Sequence, residues 1–163
     1  MEDAQYLVNL LKERALKIAV AESTTGGLIS HYIVSIPGAS KVFDRGVIVY
    51  TGRSYEDLLG ITAEHFKGKS AVSEGIARKM AESIRQRSGM DVGLSETGMA
   101  GPMPGTEQKP AGKAYIAIST REGTECQYIE IEGDRQAIQR GIATRAILMA
   151  IAYLERTPRP ACD

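Results

Sequence analysis

Two short polar turns, each rich in glycine and each placed directly after a strand-like run, constrain this chain more than any other feature. Lys17 to Ala21 reads as a short buried strand, and Glu22-Ser23-Thr24-Thr25-Gly26-Gly27 follows it at once. Leu28, Ile29, Tyr32 and Ile33 then recur at helical spacing, so a strand, a tight turn and a helix meet there. Further on, Asp91 to Glu96 reads as a central strand leading into Thr97-Gly98-Met99-Ala100-Gly101-Pro102-Met103-Pro104-Gly105, whose glycines and prolines forbid regular structure.

The remaining elements fit around these two units. Asp3 to Arg14 is predicted to be a helix with Tyr6, Leu7, Leu10 and Leu11 on one face. Val42 to Thr51 has strand composition, while Ser54 to Leu59 and Ala63 to Phe66 read as short helices. Ser73 is a predicted N-cap for a helix running through Ile76, Met80 and Ile84 to a stop near Gly89. Gly112 to Thr120 and Glu125 to Ile131 form an antiparallel pair joined through Glu122-Gly123, and Asp134 to Leu154 is a long closing helix. This order predicts an α/β fold, a three-layer α/β/α sandwich with a mixed, mainly parallel sheet. Residues 1–156 are assigned to one domain and 157–163 to a flexible tail.

Composition narrows the function classes. The 163 residues suit one domain, and 20 basic against 20 acidic side chains leave no overall field for nucleic acid or an anionic membrane. The longest apolar run, Ala146 to Ala152, is too short to span a bilayer, and no signal-peptide core is present, so a cytoplasmic location without membrane contact is expected. Cys126 and Cys162 provide neither a disulfide framework nor metal-ligand spacing.

The chemistry-bearing residues lie in the two turns. Ser23, after a strand and before a helix, can attack a carbonyl while nearby N–H groups stabilise the oxyanion; alternatively Ser23, Thr24 or Thr25 only caps the helix. Glu22 can orient a base or a ligand hydroxyl, or can contact the helix N-terminus across the turn. Gly26, Gly27, Gly98 and Gly101 allow a ligand close to the backbone, or simply make tight surface turns. Thr97 can donate to a phosphate or a reacting carbonyl. Lys109 and Arg135 can supply a cation for phosphate, or can be solvated surface residues.

Taken in order, Ala21-Glu22-Ser23-Thr24-Thr25-Gly26-Gly27, Pro37-Gly38-Ala39-Ser40 with Phe43, and Gly46-Val47-Ile48-Val49-Tyr50 resemble successive blocks of the CinA C-terminal domain family. Ala71-Val72-Ser73-Glu74, Thr97-Gly98-Met99-Ala100-Gly101-Pro102 and Lys109-Pro110-Ala111-Gly112 continue the resemblance over nearly the whole chain. It implies a nicotinamide-nucleotide amidase, which hydrolyses the carboxamide of nicotinamide mononucleotide to nicotinate mononucleotide and ammonia. It implies no metal and no cofactor, a small pyridine nucleotide as partner, and self-association into a homo-oligomer. Ser23 takes the place of the family's nucleophile, Tyr50 that of its tyrosine, and Thr97 with Gly98 that of its substrate loop.

Two departures qualify that implication. The family pattern Tyr-Ser-Asn-x-x-Lys reads here Tyr50-Thr51-Gly52-Arg53-Ser54-Tyr55, so Tyr55 replaces the lysine that resembles a general base. A phenol, with an ordinary pKa of about 10, serves as a base only if a cation such as Arg53 or Lys109 lowers it. Gln139 stands where the family usually has an arginine, and Arg140 points about 100° further round the helix. The expectation is therefore an amidase with a rewired base, supplied by Tyr50, Tyr55 or a lysine from elsewhere. Its alternative is a homologue that binds nucleotide without turnover.

Overall fold

A computed structural model of the chain describes residues 1–68, 70–101 and 111–157. The elements follow in the order α1 (Glu2–Glu13), β1 (Ile18–Glu22), α2 (Leu28–Val34), β2 (Phe43–Ile48), α3 (Gly52–Leu59), α4 (Glu74–Ser88), β3 (Val92–Gly98), β4 (Lys113–Thr120), β5 (Gly123–Glu130) and α5 (Arg135–Arg156), with 3₁₀ turns at Ala39–Lys41 and Ala63–Phe66. The five strands form one sheet in the order β2-β1-β3-β4-β5. β1 pairs in parallel with β2 and β3, whereas β4 runs antiparallel to both β3 and β5. Every strand but β4 therefore runs the same way, which is the mixed sheet that the sequence predicts.

The pleat sorts the side chains into two cores. Ile18 and Val20 of β1 and Val92 and Leu94 of β3 pack under α1, α2 and α5. Ala19 and Ala21 of β1 face the other way and pack with Tyr55 and Leu59 of α3 and Met80 and Ile84 of α4. Both faces of the sheet are covered, giving the three layers. Among the described residues only α5 is long and apolar enough to cross a membrane, but 50% of that stretch is buried inside the fold. It is the helix over which the larger core closes.

Several boundaries show local chemistry overriding the wider pattern. Ser73 caps α4, its side chain accepting from Ile76 N, and Gly89 ends the helix in a left-handed conformation at φ 72°. Asp134 caps α5 in the same way through Ala137 N. β2 stops at Ile48, short of Thr51, because Thr51 and Ser54 form a capping box that starts α3 at Gly52. The β4–β5 turn is Arg121-Glu122, with Thr120 paired to Gly123, one residue earlier than predicted. Tyr6 is exposed and bonds Glu155, while Ala4 and Val8 join Leu7, Leu10 and Leu11 on the buried face of α1. The tail from 158 onward, with Cys162, lies outside the described residues.

Register brings the two polar turns together. β1 and β3 are parallel neighbours with Ala21 opposite Ser95, so the turn after Glu22 and the loop after Gly98 leave the same edge of the sheet side by side. The chain turns left to β2 and right to β3 at this point, the place in an open α/β sheet where a crevice forms beyond the strand ends.

The layers sit close because Gly93 has no side chain. A Cβ at this position would collide with the carbonyl oxygen of Ala81 and the Cβ of Arg85 on α4. Gly93→Ala is expected to lower stability by about 1–3 kcal/mol through overpacking, read as a fall in the urea midpoint at unchanged slope. Gly52→Ala, with no heavy atom within 4 Å of the new Cβ, should leave the midpoint almost unmoved.

Candidate functional site

Glu22 ends β1 fully buried, and five hydrogen-bond donors converge on it. Its Oε2 accepts from Thr25 Oγ1 at 2.6 Å, Gly27 N at 3.0 Å and Ile29 N at 3.0 Å; its Oε1 accepts from Ser30 N at 2.8 Å and Ser30 Oγ at 2.6 Å. These backbone donors are the amides that the first turn of α2 leaves without a helical partner. Gly27, at φ 105°, starts the helix in a left-handed conformation that aims its N–H at the carboxylate. Of the two roles open to Glu22, helix contact is the one present, and both its oxygens are occupied. The helix N-terminus thus holds an internal carboxylate in the place predicted for bound anion, and Gly26 and Gly27, both at positive φ, shape the turn.

A second buried carboxyl group lies alongside. Glu96 of β3 accepts through Oε1 from Ser23 N at 2.7 Å, Thr25 N at 2.8 Å and Thr25 Oγ1 at 2.8 Å. Burial raises its pKa, the nearby Glu22 charge adds to the rise, and the Thr25 and Ser23 donors oppose it. Sequence reading treated Glu96 only as the end of a strand. The available signal was a carboxylate inside an otherwise apolar central strand, a place where charged residues are rare unless partnered.

Ser23 itself is half-buried at the mouth of the crevice. Its hydroxyl accepts from Tyr55 Oη at 3.2 Å. Tyr55 is 3% exposed and packs edge-on against Phe66 at 5.4 Å. Burial is the main influence on its phenol and raises the pKa, with smaller opposing contributions from hydrogen bonds to Ser23 and Thr97. Arg53, the described cation proposed to lower it, is instead paired with Asp57 at 3.2 Å on the exposed face of α3. In this arrangement Tyr55 donates its proton to Ser23 and burial holds it protonated.

The glycine loop forms the opposite wall. Ser23, Thr24, Tyr50, Gly98, Gly101 and Arg135 line one crevice of about 360 Å³, together with Met99 and Ala100. Arg135 bridges its rim: Nη1 donates to Gly101 O at 2.7 Å and Nη2 to Tyr50 Oη at 3.2 Å. Tyr50, 68% exposed, stands over the entrance. Thr24 is 6% exposed, its hydroxyl has no partner among the described residues, and its carbonyl accepts from Gln139 Nε2 at 2.9 Å. Gln139 thereby pins the Ser23 turn to α5, while Arg140 is exposed and donates to Gln136.

The two residues that open the glycine loop are held differently. Thr97 is buried and donates its hydroxyl to Ala71 O at 2.9 Å, tying β3 to the segment before α4 instead of lining the crevice. Gly98 does line it, yet a Cβ there would meet Ala114 Cβ at 2.7 Å, so close strand pairing is reason enough for the glycine. Lys109 and the loop from Pro102 to Pro110 lie outside the described residues. No cluster of three or more metal-ligating side chains occurs among the described residues. Glu22→Ala would strand several amides at the start of α2, and a loss of about 3 kcal/mol or more is expected in chemical denaturation. A loss below about 1 kcal/mol would mean that water replaces the carboxylate there.

Known proteins agree with this architecture. The model of the CinA C-terminal domain matches residues 2–154. A putative competence-damage inducible protein of Caldicellulosiruptor bescii is 43% identical over 143 residues, which is 88% of this chain and 35% of that protein. A CinA-like protein of Dictyoglomus turgidum is 46% identical over 135 residues, 83% of this chain and 33% of that protein. The chain thus spans about a third of the length of the curated relatives it matches. Among solved structures, a competence/damage inducible protein of Agrobacterium tumefaciens superposes with a TM-score of 0.86 at 34% identity, covering 95% of this chain and 94% of that one. A CinA superfamily protein of Klebsiella pneumoniae reaches 0.91 at 26% identity, with 96% and 98% covered. On the match over residues 2–154 and the shared fold, the chain belongs to the CinA C-terminal domain family.

Proposed function

We propose that this chain is a cytoplasmic amidase that hydrolyses the carboxamide of nicotinamide mononucleotide, with Ser23 as nucleophile. The observation that carries the reading is that Ser23, the Gly98–Gly101 backbone and Arg135 bound a single crevice. In this scheme Ser23 Oγ attacks the carboxamide carbon, the C–N bond breaks, and the serine proton leaves with the amine as ammonia. Water then hydrolyses the acyl-serine to nicotinate mononucleotide. In this reading Arg135, at the rim, meets the phosphate and Tyr50 covers the ring. The amides of Ser23 and Thr25 are committed to Glu96, so the oxyanion falls to the facing wall of the crevice.

One observation favours a second reading, nucleotide binding without turnover. The described group nearest to Ser23 Oγ in hydrogen-bond terms, Tyr55, donates a proton and has its pKa pushed up, the reverse of what a general base needs. Purified protein incubated with nicotinamide mononucleotide separates the two. The amidase reading expects ammonia and a nicotinate product, with Ser23→Ala lowering the rate by a factor of about 10³ or more. Binding alone expects thermal stabilisation by the nucleotide without product. In that case Tyr55→Lys, which restores an amine beside the hydroxyl, is expected to create measurable ammonia release.

A further inference from the structure

The Ser23 turn hangs from one carboxyl oxygen. Glu96 Oε1 receives the amides of Ser23 and Thr25, so the Glu22–Ser23 and Thr24–Thr25 peptides share one acceptor from the neighbouring strand, while Gln139 holds the second of them through the Thr24 carbonyl. The other oxygen, Oε2, is buried and has no hydrogen-bond partner among the described residues. A carboxylate would leave charge on Oε2 without a donor among the described residues, whereas a carboxylic acid can keep Oε1 as the acceptor and carry its proton on Oε2. The Thr25 hydroxyl points the same way. Its one hydrogen stands between Glu22 Oε2 at 2.6 Å and Glu96 Oε1 at 2.8 Å, an arrangement that two like charges would oppose. Apart from the shared Thr25 hydroxyl, four donors reach Glu22 and two reach Glu96, so Glu96 is the partner that holds the proton.

We propose that Glu96 is a positioning residue for Ser23: as a neutral acid it holds the nucleophile's turn in its working form, and its ionisation disturbs that turn. The proposal rests on the reading of Ser23 as nucleophile. The groups facing Glu96 are Glu22 from β1 and Tyr55 from α3, whose phenol is bonded to Ser23 and senses the Glu96 charge. β4 places the apolar Ile116 opposite it, and α5 contributes the neutral Gln139 above the turn. α2 carries two titratable side chains: His31, which is exposed, and Tyr32, which is half-buried against the larger core. No ion pair reaches Glu96 among the described residues. Because burial lifts the folded-state pKa above the unfolded one, the contribution of bound proton to stability is complete below the unfolded value. It is lost as pH rises through the folded value.

The test is a ¹H–¹⁵N NMR titration of the full chain from about pH 5 to 9, paired with the pH profile of ammonia release from nicotinamide mononucleotide. The Ser23 and Thr25 amides are expected to titrate together, with one apparent pKa above the usual carboxylate range. Ammonia release is expected to fall about tenfold per pH unit above that same point. In Glu96→Gln, which keeps an acceptor oxygen and cannot ionise, both amides should stop titrating and the alkaline fall should vanish. Flat or independent titration of the two amides in the unaltered protein overturns the proposal, as does an activity profile indifferent to their transition. Should Glu96→Gln not fold, the coincidence of amide and activity transitions in the unaltered protein still decides. If no ammonia forms at any pH, the amidase reading fails by itself. The affinity for nicotinamide mononucleotide across the amide transition then decides in its place: a change of about tenfold supports the positioning role, and none refutes it.

Discussion

Glu22 occupies the place where a strand–turn–helix unit would otherwise receive a ligand. With its carboxylate buried against the first amides of α2, the positive end of that helix is neutralised from within, and the turn becomes a rigid bracket. The bracket leaves Ser23 as the exposed functional group of the turn, since Thr25 is drawn inward between two carboxyl groups and Gln139 holds the Thr24 carbonyl. The parallel register of β1 and β3 then sets the glycine loop opposite. Remove the bracket and the serine has no fixed relation to the wall it faces.

Most of the fold was legible in the sequence because helix caps, period-2 strands and glycine turns are local signals. Ser73 and Gly89 sit where their chemistry predicted, and the long closing helix starts within one residue of Asp134. The misplacements are small and local too: the Thr51–Ser54 box ended β2 early, and Gly123 belongs to β5 instead of to the turn. Apolar periodicity counted Tyr6 into the buried face of α1, although its hydroxyl is satisfied at the surface by Glu155.

The site was legible in outline and less so in detail. Both turns stand out in the sequence because glycine-rich turns after apolar strands announce themselves, and Ser23, Tyr50 and Arg135 line one crevice. What sequence could not convey is which polar groups are already satisfied inside the protein. Glu22, Thr97 and Gly27 look like ligand contacts in a string of letters, yet each is committed to an internal partner. Glu96 shows the converse: one letter at a strand end proves to organise the turn from a neighbouring strand. Tyr55 is a related case, since its replacement of a lysine was visible but its donation to Ser23, and the burial that raises its pKa, needed three dimensions.

The account stands or falls on whether the crevice between the two turns receives the nucleotide with its carboxamide at Ser23. A crystal structure of the Ser23→Ala protein with nicotinamide mononucleotide tests this most directly. The account predicts the carboxamide carbon within about 3–3.5 Å of where Ser23 Oγ lies, and the phosphate beside Arg135. A nucleotide bound instead at the far end of the sheet, in the smaller cavity lined by Arg14, Asp91 and Tyr153, would contradict it.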